Sequence, residues 1–305
     1  MRAVEGAAIT SLSGREALSF TGGVPTAKAT AIRIDPVRVL GVRLDHNHRM
    51  HAVSRPGRLL RRVRNEALGT VSRVATADPI VALTFDDGPH PVYTPQLLDV
   101  LAEFDVRATF FMVGERAKDH PDVVRRVAAA RHVIGNHTFD HPSFPLIGDR
   151  ERRYQLRACH AALAPHGVRL FRPPHGHESL ASHMSARTAG YEVIGWSAHA
   201  FDWKAHPSGW MLERLLGAIK PGRIVLLHDA IFRSPSPEAA DRSEMVATVR
   251  SLLEVLSPRY RFVTVPALLR HGRAIRTWYQ PPDHALLATL ANYERYAAHQ
   301  RRPSS

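Results

Sequence analysis

The order of elements predicts an α/β fold, an irregular (β/α)7-type barrel. Three observations carry that reading. From residue 79 onward, short apolar runs alternate with stretches of helical period, which implies a parallel sheet with helices outside it. Seven such units within roughly 190 residues suit a barrel better than an open sheet. Reactive side chains also recur at the predicted strand ends, where barrels keep their chemistry.

The first strand covers residues 80–85 and runs into Asp86, Asp87, Gly88 and Pro89. Four β-forming or apolar residues before a Gly-Pro break read as a buried strand that stops abruptly. Successive strand residues face opposite ways, so the two acids can reach different targets. A helix over 95–104 follows, then a strand over 108–113. Pro121 sits in the first turn of a helix over 121–130. Residues 132–135 form a short strand, 149–163 a helix and 169–172 a strand. The helix over 180–189 is stopped by Gly190. A strand over 191–197, a helix over 210–219 and a strand over 224–228 come next. A helix over 239–256 and a strand over 262–265 complete the series. The domain is therefore expected over 77–270. Residues 1–76 lack a sustained period and read as a basic, disordered extension. In the extension over 271–305, Leu286, Leu287, Leu290, Tyr293 and Tyr296 share one helical face.

The net charge of +13 raises the question of a nucleic-acid partner. Only four of the 41 basic residues are lysines, so arginine richness is chain-wide. Residues 1–76 hold 13 basic and five acidic side chains, or +8, which leaves +5 for the other 229. The barrel is nearly balanced, and no specific nucleic acid is expected. Cys159, the single cysteine, excludes an intrachain disulfide and falls in a predicted helix, as a structural thiol. No run approaches the roughly 18 apolar residues of a membrane helix. No signal peptide is seen, so the expected location is cytoplasmic if Met1 is the true start rather than Met50.

His137 and His141 are four residues apart just after a strand. On a helical turn that spacing puts both imidazoles on one face, close enough to share a divalent ion with an unsatisfied strand-end acid. Two histidines and one carboxylate leave an open position, the composition of a catalytic rather than a structural zinc site. Arg172-Pro173-Pro174 ends another strand, Asp202-Trp203 follows the fifth, and His228-Asp229 ends the sixth.

Taken in order, Thr84-Phe85-Asp86-Asp87-Gly88-Pro89, His137-Thr138-Phe139-Asp140-His141, Arg172-Pro173-Pro174, Asp202-Trp203 and Leu226-Leu227-His228 resemble the five motifs of the polysaccharide deacetylase family. This is the NodB-homology group, carbohydrate esterase family 4. The resemblance implies metal-assisted removal of acetyl groups from N-acetylhexosamine units of an oligo- or polysaccharide. It implies Asp87, His137 and His141 as metal ligands, Asp86 as general base and His228 as general acid. Arg172 would pair with Asp86, and Asp202 would orient His228. Pro174, His175, Trp203 and Leu226 would line the substrate site. Zinc is the expected ion, with cobalt, nickel and manganese also fitting mixed nitrogen and oxygen ligands. The expected partner is an N-acetylated carbohydrate.

Two positions depart from the family pattern. His175 stands where a tyrosine is common, and His199 where an aspartate often opens the fourth motif. Both bear on substrate identity more than on reaction type. The rival readings are a metal-free glycosidase using Asp86 and Asp202, a catalytically inactive sugar-binding protein, and nucleic-acid binding through the basic N-terminus.

Overall fold

A computed structural model describes residues 69–234 and 236–277. The N-terminal extension as far as residue 68 and the C-terminal helical face over 286–296 lie outside the described residues.

The sheet is parallel and curled, a half-barrel with helices on its outer face. Its strands are β2 (Ile80–Asp86), β3 (Thr109–Met112), β4 (Val133–Asn136), β5 (Gly167–Phe171), β6 (Glu192–Val193), β7 (Ala198–His199) and β8 (Ile224–His228). Their spatial order is β6-β5-β4-β3-β2-β8-β7. A further strand, β9 (Arg261–Val263), pairs with the start of β2, on the edge opposite β8.

Strand alternation sorts the side chains. Val81, Leu83 and Phe85 of β2 point outward into the cluster shared with the helices. Ile80 and Ala82 point inward to a second cluster with Phe111, Ile224 and Val265. Thr84 and Asp86 continue that inward row. The inner face is thus apolar at the strand starts and polar at the strand ends. β8 repeats the pattern: Val225 and Leu227 face out, while Ile224, Leu226 and His228 form the inner row.

Three expectations need correction. Residues 70–75, read as part of the extension, form a strand, β1 (Thr70–Ala75). It pairs antiparallel with β10 (Arg273–Thr277), which falls in the region read as the C-terminal extension. Arg73 and Arg276 mask the apolar alternation of both, but Val71 and Val74 are fully buried in the inner cluster. Of the single strand expected over 191–197 only β6 forms, and β7 follows just beyond it at the opposite edge of the sheet. β6 pairs with β5 and β7 with β8, and the intervening chain crosses the opening. β9 is also followed directly by a helix, Val265–Leu269, rather than extending to Val265. Among the described residues no helix is long and apolar enough to cross a membrane. Cys159 is buried, and burial pushes its thiol pKa up to about 12, as suits a structural residue.

Candidate metal and acid–base site

Asp86 and Asp87 separate as strand geometry requires. Asp86 ends the inner row of β2 and is aligned with His228 on β8. Asp87 lies past the strand with φ 71°, the left-handed region that aspartate tolerates better than most residues. Gly88 follows because a β-carbon there would overlap the Asp229 carboxylate.

The metal-side cluster is Asp87, His137 and His141, whose candidate ligand atoms all lie within 4.8 Å of one another. Asp87 Oδ1 is 3.3 Å from His137 Nε2 and 3.1 Å from His141 Nε2. That oxygen is buried and makes no hydrogen bond among the described residues. Asp87 Oδ2 accepts the Phe232 N–H at 2.9 Å. Burial alone would raise the Asp87 carboxyl, but the His141 charge and the His137 imidazole hold it well below the usual range. His137 Nδ1 is 2.7 Å from the Arg172 carbonyl. A carbonyl can only accept, so the proton sits on Nδ1 and Nε2 keeps its lone pair for an ion. Two imidazole nitrogens converging on a buried, unsatisfied carboxylate oxygen fit a divalent cation.

The two imidazoles do not meet on a helical turn, as their spacing suggested. Thr138 and His141 have φ of 68° and 61°, and no helix forms there. Side chains hold the loop instead. Asn136 Oδ1 accepts the Thr138 N–H at 2.9 Å, and Thr138 Oγ1 accepts the His141 N–H at 3.1 Å. Gln155 Oε1 accepts the N–H groups of Phe139 and Asp140 at 2.9 and 3.1 Å.

On the acid–base side, Arg172 is fully buried and donates to Asp86 Oδ1 at 2.7 Å and Thr84 Oγ1 at 2.8 Å. Its remaining donors meet the carbonyls of Ile194 and Gly195. Asp86 Oδ2 makes no hydrogen bond among the described residues and faces His137 Nε2 at 3.9 Å. Asp202 receives His228 twice, from the backbone N–H at 2.7 Å and from Nδ1 at 3.1 Å. Burial alone would lower the His228 pKa, but the Asp202 carboxylate reverses this and pushes it to about 9.

Arg242 went unnoticed in the sequence. It is 3% exposed and donates to Asp202 Oδ2 at 2.6 Å, the Asp202 carbonyl at 2.7 Å and the His228 carbonyl at 3.1 Å. Asp202 thus has both oxygens occupied, which removes it from any Asp86–Asp202 glycosidase pair. Phe232 was also missed, and no sequence signal marks it, because it acts through its backbone.

Of the expected substrate-site residues, Pro174 is buried in a single turn, Pro174–Gly176. The His175 ring lies 4.6 Å from His141. Trp203 meets the His228 ring edge-on at 5.7 Å. Leu226 is buried two residues before His228. Asp229, just after β8, is fully buried and accepts the Thr94 hydroxyl; burial raises its carboxyl to about 7.

Together these features describe an α/β half-barrel with a possible metal-binding triad and two charge-paired groups at the ends of its parallel strands. Residues 73–194 match the family model for polysaccharide deacetylase. A chitooligosaccharide deacetylase of Sinorhizobium fredii is 38% identical over 198 residues, 63% of this chain and 92% of that protein. A peptidoglycan-N-acetylglucosamine deacetylase of Bacillus cereus is 36% identical over 220 residues, 70% of this chain and 99% of that protein. Among solved structures, the Bc1960 peptidoglycan N-acetylglucosamine deacetylase superposes with a TM-score of 0.62 at 29% identity, covering 70% of this chain and 98% of that one. The chain belongs to the polysaccharide deacetylase family, whose deacetylases are metal-dependent hydrolases of amide bonds.

Proposed function

We propose that this chain is a zinc-dependent N-deacetylase of oligo- or polysaccharides containing N-acetylglucosamine. The observation that carries the reading is the unsatisfied Asp87 Oδ1 between two imidazole nitrogens, beside an arginine-held carboxylate and a carboxylate-held imidazole.

Asp87, His137 and His141 would hold the ion. When bound, zinc supplies Lewis acidity toward the acetyl carbonyl and lowers the pKa of water from 15.7 toward about 7. Asp86 then takes the proton of the attacking water on Oδ2, while Arg172 fixes Oδ1. His228 is protonated at neutral pH and gives its Nε2 proton to the departing amine nitrogen. Asp202 holds Nδ1 and so aims Nε2. Trp203 walls the site next to His228.

The test is mass-spectrometric detection of acetyl loss from N-acetylated sugars, with protein stripped of metal and then reloaded with zinc, cobalt, nickel or manganese. Deacetylation restored best by zinc is the expected result. Cleavage of the sugar chain, unaffected by chelator, would contradict it.

A further inference from the structure

The helix Ser208–Ala218 carries a feature that the reaction chemistry does not use. Trp210, Glu213, Arg214 and Gly217 fall at i, i+3, i+4 and i+7, so they share one face. That face and residues 197–199 of the sheet edge line an open groove of about 570 Å³. The volume is within the range of small-molecule sites.

The lining is mixed in character. Trp210 is 41% exposed, and His206 stacks against its ring at 4.0 Å. The Arg214 guanidinium lies over Phe201 at 4.4 Å and is 5.6 Å from the Trp210 ring. Neither Glu213 nor Arg214 makes a hydrogen bond or ion pair among the described residues. The groove therefore offers an aromatic surface, several donors and a carboxylate acceptor. A pyranose ring presents the complement: an apolar C–H face edged by hydroxyls that both donate and accept. Glu213 counts against an anionic ligand.

The groove adjoins the acid–base side of the site. His199, one of its walls, stacks on Trp203 at 5.5 Å, and Trp203 touches His228. One indole separates it from the proposed general acid.

We propose that this groove is a distal subsite for sugar units of the same substrate chain, remote from the acetyl group being removed. The proposal rests on the deacetylase reading and adds a preference for longer oligosaccharides, since remote contacts add binding energy.

The test compares N-acetylchitobiose with N-acetylchitohexaose, using the metal-loaded full chain. Gly217→Gln fills the groove without a clash, because a β-carbon at Gly217 meets nothing within 4 Å. It also favours the helix. Gly217→Gln and Trp210→Ala should each raise KM for the hexaose about tenfold, the scale of losing one well-packed aromatic contact. Both should leave kcat and KM for the biose unchanged. Equal changes on the two sugars, or no change on either, would overturn the subsite. Tryptophan-fluorescence titration with the hexaose separates the two claims. Hexaose binding that Gly217→Gln abolishes, with neither sugar deacetylated, sinks the deacetylase reading and keeps the groove as a glycan site.

Discussion

The two sides of the site are built differently. On the proposed acid–base side each group is tethered by a protein partner of opposite charge. Arg172 fixes Asp86, while Asp202 and Arg242 fix His228, all with side chains that are at least partly buried. On the metal side three ligand atoms face one another across an unsatisfied buried oxygen. Each proposed acid–base group is tethered by protein through one atom, Asp86 through Oδ1 and His228 through Nδ1, and keeps its other atom open. The triad's buried oxygen has no hydrogen-bond partner among the described residues, and leaving such a group unpaired costs about 1–3 kcal/mol or more. On the proposed reading, the contrast teaches that the fold orients the proton-transfer groups by itself and leaves charge neutralisation at the triad to a cation.

The strongest way to break this contrast is to remove a ligand. Asp87→Ala should lower zinc affinity and activity together by at least about 100-fold, the upper scale for losing even an outer partner of a ligand. Metal content and acetate release measure both. His228→Gln should lower kcat by about 10²–10⁴, the range for one acid–base group, with bound zinc unchanged. Loss of zinc in that variant would erase the distinction between the two sides.

Two subtler changes sharpen it, and they act in opposite directions. Asp202→Asn removes the charge that raises His228, so burial then dominates. The alkaline limb of kcat/KM should move to lower pH. Arg242→Met frees Asp202 to pair with His228 alone, so the same limb should move up. That variant also loses about 3–5 kcal/mol of stability, as expected when a buried ion pair keeps only one partner. Arg242→Lys should recover part of both effects. A purely structural arginine would change Tm and leave the pH profile alone. The smallest expected effect is that of His175→Tyr, which should shift KM by about tenfold and leave zinc binding intact.

The His228 pairing also ties stability to pH. Its folded pKa of about 9 lies above the ordinary 6.5. The stabilisation is complete below 6.5 and is lost as pH rises through about 9. Denaturant midpoints across that window should fall in the wild type and stay flatter in Asp202→Asn.

Much of this was legible in the sequence because strand periodicity is local. Residues 80–86 specify both an apolar inner row and the acid that ends it, so Asp86 could be placed before any tertiary contact was known. Strand ends likewise marked Arg172 and His228. The less legible features depend on long-range or backbone contacts. Arg242 reaches Asp202 across 40 residues, and nothing in its neighbours distinguishes it from the chain's other arginines. Phe232 serves Asp87 through an N–H that any residue except proline would supply. β1 and β10 pair across some 200 residues, each with an arginine interrupting its apolar pattern. The spacing of His137 and His141 pointed to two imidazoles that do converge, but not on a helical turn. A loop with two left-handed residues, held by Asn136, Thr138 and Gln155, does what a helical turn was expected to do.

The most direct measurement is zinc titration of the metal-stripped protein while acetate release from N-acetylchitohexaose is followed. Activity should rise linearly and break sharply at one ion per chain, and Asp87→Ala should show no such rise. Undiminished acetate release in excess chelator, or a break that survives in Asp87→Ala, would contradict the assignment of the ion to this triad.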